Sequence, residues 1–167
     1  MAFNYVESFH IGGFWSKEVA KVLNGRGVRC VAPDVKIAKN DHERDEMTKF
    51  EKDIIFDWTD KCLEVKSSTR EFTDDVFQYP FDSLFVDTVS GYDAKVDKPL
   101  AYVLISQKTR GIVCISPKTY DEWRKVNTFD RKREIMEWFY SAPKSVLQPF
   151  DSLVNHLIKI QNESDGW

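Results

Sequence analysis

The chain has 167 residues, 42% of them hydrophobic and 14% aromatic, with a net charge of −3 and a sequence pI near 5.7. That is enough apolar material for one domain with its own core, and it argues against a disordered chain. The acidic balance counts against strong non-specific nucleic-acid binding, though a local basic groove remains open because the field depends on where charges sit.

In chain order, the first element is a helix over residues 16–27, with Ser16 at its N-cap and Val19, Val22 and Leu23 as its apolar stripe. Gly25 or Gly27 stops it. Residues 28–38 read as a strand, and the charged stretch 39–50 as an exposed loop that admits a helical turn. Residues 51–58 and 62–68 form a hairpin, with Ile54, Phe56 and Trp58 on one face of the first arm. A turn at Thr59–Asp60 would set Asp53 opposite Lys66 and Phe56 opposite Leu63.

A polar stretch (68–80), a strand (82–89) and a loop (90–99) follow. A second hairpin, 100–107 with 111–116, turns at residues 108–111. The remainder reads as helical or irregular: 119–126, 129–140 and 146–161, the last interrupted by Pro149 so that its helix begins near Asp151. The expected fold is α/β or α+β, one domain over 1–167 with a mixed central sheet flanked by helices. Its core spans about 14–116, with a C-terminal helical extension over about 117–161.

Cys30, Cys62 and Cys114 match no zinc spacing and lie in apolar runs, which points to buried free thiols in a reducing compartment. No apolar run is long enough to span a membrane, and no leader segment is evident, so a cytoplasmic protein is expected. P-loop, GxGxxG and Ser-His-Asp patterns are lacking, so no nucleotide cofactor is expected.

The chemistry concentrates in "EKDIIFDWTDKCLEVKSS", residues 51–68. Glu64 and Lys66, two apart, share a strand face at a spacing of roughly 6–7 Å, and Asp53 comes near them across the hairpin. Two carboxylates on neighbouring strands can hold a hard divalent cation through oxygen. A lysine among carboxylates stays protonated, which suits it to stabilising charge on a phosphate rather than to acting as a base. The same three charges would also make an ordinary cross-strand ion-pair set on a solvated face.

The pattern Asp53-x10-Glu64-Val65-Lys66, followed by Ser67 and Ser68 and preceded by a helix carrying Glu18, resembles the PD-(D/E)XK nuclease superfamily. The likeness covers roughly residues 14–70. It departs from the pattern at Lys52, which stands where a proline is usual; Asp34, after Pro33, is the alternative first carboxylate.

The resemblance implies a restriction-endonuclease-like core, opening on a helix and a three-stranded meander, in a phage or bacterial restriction-, repair- or resolvase-like enzyme. It implies Mg²⁺, with Mn²⁺ as substitute, on Asp53, Glu64 and the Val65 carbonyl. Lys66 would orient the attacking water, and Glu18 would hold a second metal or a metal-bound water. The expected substrate is DNA, and a homodimer is possible. Ser67, Ser68 and Arg70 could contact phosphates. Trp123, Phe129, Trp138, Phe139 and Tyr140 could stack bases, or at helical spacing form core or a dimer interface. The alternative is a non-catalytic interaction or inhibitory protein on the same fold.

Overall fold

Alternation along two central strands organises the molecule, as seen in a computed structural model that describes residues 5–166, with side chains from residue 11. In β4 (Ala101–Ser106), Ala101, Val103 and Ile105 enter one core, while Tyr102 and Leu104 enter another. In β5 (Ile112–Ile115), Ile112 and Cys114 join the first core, and Val113 and Ile115 the second. A strand that is apolar on both faces must be covered on both, so these two strands become the middle layer.

That layer is a five-stranded mixed sheet in the order β1-β2-β4-β5-β8. β1 is Ile54–Ile55, β2 is Cys62–Ser68 and β8 is Gln148–Pro149. β2 and β4 run parallel, with Glu64 level with Tyr102 and Lys66 level with Leu104; the other pairs are antiparallel. On one face, α1 (Tyr5–Gly25) contributes Val19 and Leu23, and α4 (Phe150–Ser164) contributes Leu153, Val154 and Leu157. On the other face lies a three-stranded antiparallel sheet in the order β3-β7-β6, from β3 (Ser83–Thr88), β6 (Arg124–Asp130) and β7 (Ile135–Pro143). Tyr79, Tyr92, Tyr102, Trp123 and Tyr140 form the aromatic core on that side. The fold is thus a single α+β domain with a mixed sheet flanked by helices, in agreement with the sequence.

Local differences have physical causes. The first helix begins at Tyr5, so Ser16 lies within it and is no cap. Residues 28–38 form a single bridge, Val31 with Ile55, because Pro33 has no N–H to continue a ladder. The charged stretch contains a true helix, α2 (Asp41–Thr48), capped by Asn40, whose side chain accepts from the Glu43 N–H at 2.8 Å. Residues 90–99 are not all loop: Thr88 caps α3 (Val89–Ala94).

The second hairpin turns where the sequence placed it. Gly111 is needed there, since a Cβ would come within 2.2 Å of the Phe72 carbonyl oxygen. The expected helices at 119–126 and 129–140 are instead a short 3₁₀ segment and the β6–β7 hairpin. In place of a C-terminal helical extension, 117–161 supplies the β6–β7 hairpin, whose β7 pairs with β3, the short β8, and a helix packed on the first core. Pro149 ends the preceding segment, and α4 starts one residue after it.

Candidate functional site

The hairpin of residues 51–68 pairs two residues out of the expected register. Ile54 is opposite Leu63 and Ile55 opposite Cys62, so six residues (56–61) make the connection and Asp53 does not face Lys66. The cause is packing: Phe56 is buried with Ile54 in the first core, and Phe56 and Trp58 lie 4.7 Å apart, which takes both aromatics out of the ladder. A two-residue slip preserves which side chains share a face. Continuing the observed register by one residue sets Asp53 level with Glu64. The Asp53 Oδ2 accepts the Val65 N–H at 2.8 Å, so the Asp53 carboxylate is tied to the main chain between Glu64 and Lys66.

Glu64 and Lys66 lie on the face of β2 that meets the second core, where two further residues join them. Asp87 comes from the end of β3. A bulge between Phe85 and Asp87 turns Val86 and Asp87, neighbours in sequence, both inward. Lys95 follows α3, and its side chain is 7% exposed.

The four charges close a ring. Lys66 Nζ is 3.0 Å from Glu64 Oε1 and 3.4 Å from Asp87 Oδ1. Lys95 Nζ is 3.2 Å from Asp87 Oδ2 and 3.6 Å from Glu64 Oε1. The Tyr102 hydroxyl donates to Asp87 Oδ2 at 3.1 Å, and the Thr88 N–H to Asp87 Oδ1 at 2.9 Å.

The electrostatics follow from this arrangement. Burial would lower the Lys66 ammonium, but Glu64, Asp87 and Asp53 outweigh it and hold its pKa above the usual value. Burial would raise the Asp87 carboxyl; Lys66 and Lys95 outweigh that and hold it below the usual carboxylate range. Asp53 goes the other way. Burial, then the neighbouring Glu64 charge, push it up to about 8 against the help of the Val65 N–H. Burial, then Asp87, raise the Tyr102 hydroxyl, so it stays a donor.

Two cavities flank these residues. One, of about 620 Å³, is lined by Glu64, Lys66, Asp87 and Lys95, with Arg44 and Arg133. The other, of about 610 Å³, is lined by Asp53, Val65, Gly12 and Ser16 among others. Met47 and Glu51 line both, so the segment leaving α2 is their shared wall.

The structure thus brings Asp53, Glu64, Val65 and Lys66 together and leaves the other sequence candidates elsewhere. Glu18 is held by Arg110 of the β4–β5 turn at 2.6 Å. Asp34 is an exposed partner of Lys17 at 3.1 Å. Ser67 accepts from Gln107, the Ser68 hydroxyl accepts the Arg70 N–H, and Arg70 stacks over Phe81 at 4.1 Å. The three cysteines are buried and free, as expected.

Asp87 and Lys95 escaped the sequence reading. An aspartate inside the apolar run "LFVDTV" was a signal for the first; nothing in "YDAKVDK" marks the second.

Among the described residues, no group of three or more His, Cys, Asp or Glu side chains is arranged to hold a metal ion, and no helix is long and apolar enough to cross a membrane. No family model, curated protein or solved structure matches this chain.

Proposed function

We propose that the chain is a metal-dependent nuclease that hydrolyses DNA phosphodiester bonds at Asp53, Glu64 and Lys66. The observation that carries this reading is Asp53 tied to the Val65 N–H between Glu64 and Lys66. The order helix, antiparallel Val31–Ile55–Cys62 meander, then Glu-x-Lys strand supports it.

The donor set fits a small hard cation. Burial and then the Glu64 charge favour the proton on Asp53, and a cation between the two carboxylates would relieve their repulsion. Asp53, Glu64 and the Val65 carbonyl would hold Mg²⁺, which when bound supplies positive charge for a phosphoryl oxygen and acidifies a water. Lys66, kept protonated by its carboxylate neighbours, stabilises the charge that builds on the phosphate as water attacks phosphorus in line and the ester P–O bond breaks. The reading does not depend on Glu18, whose carboxylate is engaged by Arg110.

The test is cleavage of labelled linear duplex, single-stranded and four-way-junction DNA with Mg²⁺, Mn²⁺ or EDTA. Metal-dependent cutting, reduced about 10²–10³-fold in both Lys66→Ala and Glu64→Ala, is the expected result. No cutting of any substrate, together with no calorimetric Mn²⁺ binding, would end the nuclease reading.

One observation favours a second reading. The closed ring of Glu64, Lys66, Asp87 and Lys95 satisfies its own charges, which suits a non-catalytic interaction protein on the same fold. Mn²⁺ binding separates the two, because only the enzyme needs it.

A further inference from the structure

The β6–β7 hairpin shows its two faces to different surroundings. On one, the Phe139 ring lies 4.9 Å from that of Phe85 and Glu137 is 3.2 Å from Arg133, with Val126 and Ile135 exposed beside them. On the other, Lys125 is opposite Tyr140, Asn127 opposite Trp138, and Phe129 opposite Met136. Of these six only Tyr140 is buried. Phe129 is 53% exposed, Trp138 51% and Met136 61%. Strand periodicity therefore puts two large aromatics, a thioether and a lysine on one open strip, with Phe129 and Lys125 each diagonal to Trp138. Among the described residues neither Phe129 nor Trp138 contacts another ring, and each leaves about half of its surface exposed.

The charge of the same segment is distinctive. Residues 124–134 hold five basic side chains (Arg124, Lys125, Arg131, Lys132 and Arg133) against Asp130 and Glu134, in a chain whose net charge is −3. Arg133 is held within the hairpin by Glu137 and Asp130, while Arg124, Lys125, Arg131 and Lys132 are exposed. A basic, aromatic ribbon on an otherwise acidic molecule complements a polyanion that also offers unpaired flat rings. Its position connects it to the site. Tyr140 on the open face is the register partner of Asp87, and Arg133 at the hairpin turn lines the cavity of Glu64 and Lys66.

We propose that the open face of the β6–β7 hairpin binds a single-stranded segment of nucleic acid, with Trp138 and Phe129 stacking on successive bases and Lys125, Arg131 and Lys132 against the phosphates. Its role as a guide toward the cavity rests on the nuclease reading; the binding itself does not. Duplex DNA keeps its bases stacked on one another and offers the rings nothing, so unpaired strands are the preferred ligand.

The experiment is fluorescence anisotropy in EDTA, with labelled single strands of about 20 nucleotides, deoxythymidine or uridine, and a duplex of equal length. Wild type is expected to bind the strands about tenfold more tightly than the duplex, with affinity falling as salt rises from about 50 to about 200 mM. Trp138→Ala with Phe129→Ala should lose about tenfold or more, and Trp138→Phe should retain most of the affinity, because any flat ring can stack. Lys125→Ala with Arg131→Ala should flatten the salt dependence.

Equal binding by wild type and the double aromatic variant, or a preference for duplex, would overturn the proposal. So would a dimer, seen by sedimentation, that the aromatic variant dissociates while strand binding persists. A protein that binds strands but neither cuts any substrate nor binds Mn²⁺ retains this proposal and loses the nuclease reading. One that cuts, but binds strands equally well without Trp138 and Phe129, does the reverse.

Discussion

The ring around Glu64 and the β6–β7 hairpin use charge in opposite ways. In the ring, the buried Glu64, Asp87 and Lys95 and the half-buried Lys66 contact one another at 3.0 to 3.6 Å between the sheets. In the hairpin, residues 124–134 set five basic side chains against two acids, and Arg124, Lys125, Arg131 and Lys132 are exposed at the surface. Burial makes each partner in the ring indispensable to the others, because an unpaired charge in a poorly hydrated space is costly. Exposure makes each hairpin side chain dispensable to the fold and available to something else.

The comparison can be broken most severely at Lys95. Lys95→Ala leaves Glu64 and Asp87 sharing one lysine, and a loss of about 3–5 kcal/mol is expected in urea denaturation. A loss below about 1 kcal/mol would mean that water enters the ring freely and that it is not the closed unit described. Tyr102→Phe removes one neutral donor from Asp87 and keeps both lysines, so about 1.5 kcal/mol is expected by the same measurement.

Acidity sharpens the contrast within the site itself. Asp53 has a pKa raised in the folded state to about 8. A raised carboxyl favours folding below its unfolded pKa, near 4, and loses that contribution as pH rises through about 8. Asp87, held low, contributes stability above its unfolded pKa and loses it in acid. Stability measured from pH 4 to pH 9 should therefore fall less steeply in Asp53→Asn than in the wild type. A parallel slope in the two proteins would show that Asp53 is ionised and well solvated.

The smallest effect is expected on the hairpin. Trp138→Ala and Met136→Ala should each shift stability by no more than about 0.5 kcal/mol, since neither side chain is buried. A loss of several kcal/mol would mean that the open face is covered in solution.

Much of the fold was legible because it rests on local rules. The Val19–Leu23 stripe, the turn before Gly111, the run around "LFVDTV" and the break at Pro149 each carry their own signal in a few residues. The site was legible in part, since Glu64-x-Lys66 on one strand needs only the two-residue period. The β6–β7 hairpin was misread because "FDRKREIMEWFY" mixes strong helix formers with aromatics, and what decided it was pairing with β3, more than 40 residues away in the chain.

By itself, then, the sequence determined the class of fold, the two-sided apolar strands at its centre and the Glu-x-Lys pair. Those follow from composition and periodicity over short windows. Only the tertiary structure decided that Asp53 sits level with Glu64, that a bulge turns Asp87 inward, and that Lys95 closes the ring. It also placed Phe129 and Trp138 on an open strand face. Each of these depends on which distant segments pair and which face the pairing leaves uncovered, and no local propensity encodes that choice.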